Sequence, residues 1–149
     1  MAKMIDEKPS FKGEGKVWNK LSEYLPSDMV VYNQREINGR EYDFCVMAEN
    51  LGIVVIEVKG WLAESIIVNG VDNIDVEGYE KPQTSPKKQA RAYRFAILNK
   101  ISEKYNVSPL VLDMVCYPFI SKAEYESSRL DIVSEEQYTI FKEDLEDCE

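Results

Sequence analysis

From about Lys12 to Leu25 the apolar residues Val17, Trp18, Leu21, Tyr24 and Leu25 recur at helical spacing, until Pro26 closes the segment. That rhythm predicts an amphipathic helix. The pattern then switches to alternation. "MVVYNQREI" and "REYDFCVMA" flank Asn38-Gly39, the dipeptide favoured in tight hairpin turns because both positions need positive φ, so the two segments predict an antiparallel pair. A turn at Glu49-Asn50-Leu51, with Gly52 beside it, leads into the apolar run Ile53 to Val58 and completes a three-strand meander. Residues 62–86 read as irregular, with a further hairpin around "SIIVNG" and "NIDVE". "SPKKQARAYRFAILNKISEKY" predicts a second helix ending near Asn106. Ser85 can cap it, Pro86 suits its first turn, and Tyr93, Ala96, Ile97 and Ile101 form its apolar stripe. "PLVLDMVCYPF" predicts a fourth strand and "LDIV" a fifth. "SEEQYTIFKEDLE" predicts a last helix, with Ser134 and Gln137 at capping-box spacing.

The order α-β-β-β-α-β, followed by β-α, predicts an α/β protein with a mixed sheet and helices on its faces. A helix between the third and fourth strands is the usual crossover for a parallel pair. With 149 residues, 44% of them hydrophobic, and neither repeat nor linker, one domain over 1–149 is expected. No apolar run approaches the ~20 residues needed to cross a bilayer. The start, Met1 to Phe11, is charged and polar, so the expected location is cytoplasmic, away from membranes.

Composition narrows the chemistry. Cys45, Cys116 and Cys148 are far apart and form no Cys-x-x-Cys pair, which argues against a disulfide framework or zinc ribbon; Cys45 and Cys116 read as core positions. Histidine is absent, which excludes Ser-His-Asp triads, Cys-His pairs and histidine zinc sites together. Carboxylates, lysine, tyrosine or a metal remain.

Two charges interrupt the apolar third strand. Side chains alternate, so Val55, Glu57 and Lys59 share one face and Val54, Ile56 and Val58 the other. If Glu49-Asn50-Leu51 is the loop, Ala48 lies opposite Gly52, and counting back puts Asp43 across from Glu57. Such partners have Cβ atoms roughly 4.5–5.5 Å apart, close enough for two carboxylates to grip one hard cation, without which they repel. Glu14 precedes Val17 and Trp18 on the stripe of the first helix, where a buried carboxylate needs a partner. On the second helix Gln89 shares a face with Tyr93.

Each of these residues also has a plain structural reading. Glu-x-Lys on a strand is a common surface salt bridge, Asp43 suits an edge strand, and Glu14 suits the first turn of a helix. Tyr93 fits a core, and Gln89, Lys87, Lys88, Arg91 and Arg94 fit a solvated helix face. The net charge of −9 opposes non-specific binding to phosphates, as do Asp72, Asp75, Glu77 and Glu80 in the irregular segment.

Taken together, "GEGKVWNKL", "NGREYDFCV", "GIVVIEVKGW" and "SPKKQARAY", spanning roughly residues 13–93, resemble the nuclease-related domain (NERD), a branch of the PD-(D/E)XK nuclease superfamily. The resemblance implies a restriction-endonuclease-like core. It makes Asp43 and Glu57 metal ligands, Lys59 the lysine of the signature, Glu14 the acid of the N-terminal helix and Gln89 the polar residue of the following helix. It further implies a metal-dependent nuclease acting on DNA or RNA, with Mg²⁺ as cofactor and Mn²⁺ able to substitute. In that scheme the Val58 carbonyl completes the first site and Glu14 serves a second cation or a water of the first. Lys59 positions or deprotonates the attacking water, and Gln89 orients a water or phosphate. Lys87, Lys88, Arg91 and Arg94, with Tyr93, track the nucleic acid. Members of this family are often joined to helicase-type modules, and the acidic ending "KEDLEDCE" suits the N-terminal module of a larger protein. Two other readings stay open: a nuclease-like module that binds nucleic acid or a partner domain without cutting, and an acidic interaction domain unrelated to nucleic acid.

Overall fold

The structure is a computed structural model that describes residues 1–37, 40–48, 52–105 and 109–146. In chain order its elements are β1 (Lys3–Met4), α1 (Lys12–Tyr24), β2 (Met29–Ile37), β3 (Arg40–Ala48), β4 (Gly52–Val58), β5 (Ile66–Val68), β6 (Asn73–Val76), β7 (Gln83–Thr84), α2 (Pro86–Tyr105), β8 (Val111–Cys116), α3 (Lys122–Ser127), β9 (Thr139–Ile140) and α4 (Lys142–Glu146). The principal sheet runs β1-β2-β3-β4-β8-β9. Its centre is the expected meander, β2 to β3 to β4 antiparallel, and α2 carries the chain over to β8, which lies parallel to β4.

Alternation along β4 sorts the core into two layers. Ile56 and Val58 pack with Val17 of α1, Phe44, Val46 and Cys116, while Ile53 and Val55 pack with Cys45 and with Tyr93 and Ile97 of α2. Cys45 and Cys116 are buried in strands, as their sequence contexts suggest. Ala48 pairs with Gly52, the register counted from the sequence. Gly52 has φ +131, and a Cβ there would stand 2.6 Å from the Leu110 carbonyl oxygen, so only glycine lets Ile53 N–H reach that carbonyl at 2.9 Å. The turn residues Asn38-Gly39 and Glu49-Asn50-Leu51, along with Cys148, lie outside the described residues.

A second, three-stranded sheet, β5-β6-β7, contains the hairpin expected near "SIIVNG" and "NIDVE". Ile66, Ile74 and Val76 from it join Trp61, Tyr117, Tyr125 and Phe141 in a third core cluster. Among the described residues no helix is long and apolar enough to cross a membrane.

The C-terminal third departs from the sequence reading. "LDIV" is a 3-10 turn, Leu130–Ile132, and not a strand; Leu130 and Val133 are buried because that turn packs under the second sheet. The segment expected as one helix from Ser134 splits into a 3-10 turn at Glu136–Tyr138, strand β9 and the short α4. Ser134 is no helix cap. Its hydroxyl bonds Tyr117 Oη at 2.8 Å and donates to the Leu130 carbonyl at 3.3 Å, so a buried polar partner claims the group that capping would use. The capping box lies earlier: Ser121 and Glu124 close α3 reciprocally, at 3.2 and 2.9 Å. β1, for which the sequence pattern gives no strand signal, pairs parallel to β2 at the edge of the sheet.

Candidate active site

The site forms where the C-terminal end of β4 meets the first turn of α1. The helix comes close because Gly13 has no side chain: a Cβ there would lie 3.1 Å from Pro118 Cγ and 3.5 Å from Gly60 Cα. That approach brings the next residue, Glu14, to the sheet. Its Oε2 accepts a hydrogen bond of 2.8 Å from Gln34 Nε2. Burial, then hydrogen bonding with and repulsion from Asp43, push Glu14 up to about 7 from its ordinary 4.5, with the Gln34 amide opposing.

Asp43 and Glu57 meet as counted. The paired positions Phe44↔Ile56 to Ala48↔Gly52 extrapolate to Asp43 opposite Glu57, and the Asp43 carboxylate accepts a 2.7 Å hydrogen bond from Val58 N–H. Glu57 is 5% exposed, so its charge is costly, and one of its oxygens, Oε1, is buried with no hydrogen-bond partner. The other, Oε2, lies 3.1 Å from Lys59 Nζ. Burial is the main reason Glu57 rises to about 8 from 4.5; Asp43 adds repulsion, and Lys59 pulls the other way without cancelling it. Lys59 Nζ also stands 5.6 Å from the centre of the Trp61 ring, and Lys59 lines an open cavity of about 400 Å³ with Glu14 and Val58.

The second-helix residues are placed differently. Gln89 is half-buried with Oε1 unpartnered, and no hydrogen bond ties that oxygen to the carboxylates. Tyr93 is a core residue between α2 and the sheet, so its ring serves packing. Of the four basic residues, Lys87 pairs with Glu135, Lys88 with Asp72 at 3.9 Å, and Arg94 with Asp113 at 2.9 Å; Arg91 is exposed.

Gln34 is the site residue that sequence reasoning missed. It sits inside β2 at φ +53, and the β2–β3 pairing runs to Asn33↔Phe44 and resumes at Arg35↔Tyr42 around it. That left-handed residue breaks the alternation and presents its amide to Glu14. Nothing in "YNQRE" announces it.

Among the described residues no three acidic, cysteine or histidine side chains are gathered closely enough to hold a metal ion as they stand. What converges is two facing carboxylates, a third from α1 and one ammonium. The arrangement carries more negative than positive charge in a largely dry place, and it can accept a cation.

The sequence model of the nuclease-related domain family matches residues 9–118. Among solved structures, the fold is similar to that of a repair endonuclease from Pyrococcus abyssi, with a TM-score of 0.43 and 14% identity. The likeness covers 91% of this chain and 48% of that one, so the chain spans about half of that protein's length. No curated protein matches.

Proposed function

Since this chain belongs to the nuclease-related domain family, we propose that it is a metal-dependent nuclease domain hydrolysing phosphodiester bonds of DNA. The observation that carries this reading is Glu57: a buried carboxylate with one oxygen unpartnered, beside a second carboxylate and a lysine. A structural salt bridge would need neither Asp43 nor an empty oxygen.

The donor set fits Mg²⁺ or Mn²⁺. Mg²⁺ is commonly held by one or two carboxylates, with water and substrate oxygens filling the rest, so Asp43 and Glu57 suffice without a three-acid cluster. The Val58 carbonyl and Glu14 are the adjoining donors. When bound, such an ion supplies Lewis-acid activation of water and neutralises charge on the phosphate. The chain's own residues supply position. Val58 N–H fixes the Asp43 carboxylate, and the Gln34 amide fixes Glu14. Lys59, with 17% of its side chain exposed against 6% for Glu57, is the ammonium that reaches the cavity, where it can donate to a phosphate oxygen or hold the attacking water. Glu14, held by the Gln34 amide beside these donors, would orient that water or take its proton.

The test is cleavage of single- and double-stranded DNA by the purified chain with Mg²⁺ or Mn²⁺, beside Asp43→Ala and Glu57→Ala. Cutting that needs the metal and disappears in both variants is the expected result. A folded parent that cuts neither substrate with either ion, or variants that cut as well as it does, would remove the proposal.

A further inference from the structure

The cavity beside Lys59 has a wall that the carboxylates do not explain. Two large aromatic side chains line it while largely exposed: Phe11 at 70% and Tyr79 at 57%. Exposed rings gathered on one concave wall, unlike single ones scattered over a surface, mark a binding groove. Phe11, Lys12 and Phe119 also line a second cavity of about 580 Å³ next to the first, which Lys8 lines as well. Both lysines are exposed, and neither has an acidic partner among the described residues, whereas Lys87, Lys88 and Arg94 of α2 are all taken by ion pairs. Lys16, on the same wall, is engaged by Glu146 at 3.3 Å. Lys8 and Lys12 thus stand without an acidic partner at the aromatic wall, whereas on α2 the cations of the first turns, Lys87 and Lys88, are occupied and Arg91 is exposed.

We propose that the substrate of this site is unpaired DNA, held with bases stacked on Phe11 and Tyr79 and its phosphates against Lys8 and Lys12. The proposal rests on the nuclease reading above and specifies its substrate. Aromatic faces interleaved with cations are how single strands are held without sequence preference, because every base has a π-face and in a duplex those faces are already covered. The charge distribution agrees with the division of labour. Tyr79 is flanked in the chain by Glu77 and Glu80, which repel a phosphate and tolerate a neutral base. Lys8 and Lys12 do the reverse. At about 400 Å³ the first cavity is within the range of pockets that enclose small ligands, so it accommodates a splayed nucleotide and not a stacked helix.

The test is binding, read by fluorescence anisotropy in EDTA at low salt, so that no cleavage enters. The probes are a labelled oligothymidylate and a blunt duplex of equal length. The parent is expected to bind the single strand at least tenfold more tightly. Phe11→Ala and Tyr79→Ala should each weaken that binding about 5- to 100-fold, the range for one lost stacking partner, while Phe11→Trp retains it. Both positions are exposed, and unchanged circular dichroism establishes folding. Equal or tighter binding of the duplex, or alanine variants that bind as the parent does, overturns the proposal. A chain that binds single strands through Phe11 and Tyr79 and never cuts leaves this inference standing while the catalytic reading falls. A chain that cuts duplex as readily as single strands does the opposite.

Discussion

The Asp43 carboxylate accepts a 2.7 Å hydrogen bond from the N–H of Val58, the residue between Glu57 and Lys59. One acid thereby fixes the backbone that aims the other acid and the lysine. Asp43→Ala leaves a buried N–H unpaired and should cost about 1–3 kcal/mol. Asp43→Asn keeps an acceptor oxygen and should cost less than half of that, yet abolish cleavage as fully, because it removes the charge. Urea unfolding at about pH 6, where Glu57 still holds its proton, separates the two. Equal destabilisation by both variants would deny the hydrogen bond its role.

Crowding of acids makes the metal-free protein pH-sensitive in a definite direction. Glu57 at about 8 and Glu14 at about 7 stand above their ordinary 4.5. A carboxyl raised on folding binds its proton more tightly when folded. Its stabilisation is therefore complete below about 4.5 and is lost as pH rises through about 7 and about 8. In EDTA the melting temperature should fall between those limits, and at the upper end Glu57→Gln should recover at least about 3 °C. Added Mg²⁺ should stabilise the parent at high pH and leave Glu57→Gln little changed. Melts across the pH series that stay flat would contradict the crowding.

What the sequence disclosed follows from which signals are local. The register that places Asp43 opposite Glu57 could be counted because strand alternation and a short connection leave one pairing that buries the apolar faces of β3 and β4. The crossover by α2 followed from element order. The segment after β8 was illegible for the opposite reason. "LDIV" has strand composition, but Leu130 and Val133 are buried by the second sheet and the Tyr117–Ser134 contact, which are long-range effects. The α2 lysines looked free because their partners, Asp72 and Glu135, come from distant segments. Phe11 and Tyr79 are 68 positions apart and meet only in the folded wall of one cavity.

Gly13 and Gly15 flank Glu14, and the structure separates their roles. A Cβ on Gly13 meets Cγ of the fully buried Pro118 ring at 3.1 Å, a neighbour with little room to give, whereas one on Gly15 meets the flexible end of Lys8 at 3.3 Å and the Pro9 carbonyl oxygen at an ordinary 3.4 Å. Alanine gains about 0.5–1 kcal/mol over glycine inside a helix. At Gly13 the overpacking, about 1–3 kcal/mol, outweighs that gain. Gly13→Ala should destabilise the protein, push α1 from β4 and reduce cleavage through Glu14. Gly15→Ala should be near neutral in both thermal melts and cleavage rates.

The placement of cations yields a direct contrast between the two helices. On α2, Lys87 and Lys88 are occupied by Glu135 and Asp72, so changing both to alanine removes surface ion pairs worth about 0–1 kcal/mol each and should leave DNA affinity within about twofold. Arg94→Ala acts differently. It strands Asp113, whose side chain is 12% exposed, and should cost about 1–2 kcal/mol of stability without a specific loss of binding. At the aromatic wall, Lys8→Ala with Lys12→Ala should leave stability unchanged and weaken binding of a single strand about tenfold at low salt. Each phosphate contact on a single strand contributes about 0.7 to the slope of log affinity against log salt, so losing both should flatten that slope by about 1.4. A salt titration of the two double variants decides the matter. If the Lys87–Lys88 variant flattens the slope and the Lys8–Lys12 variant does not, DNA runs along the second helix and its ion pairs open to receive it.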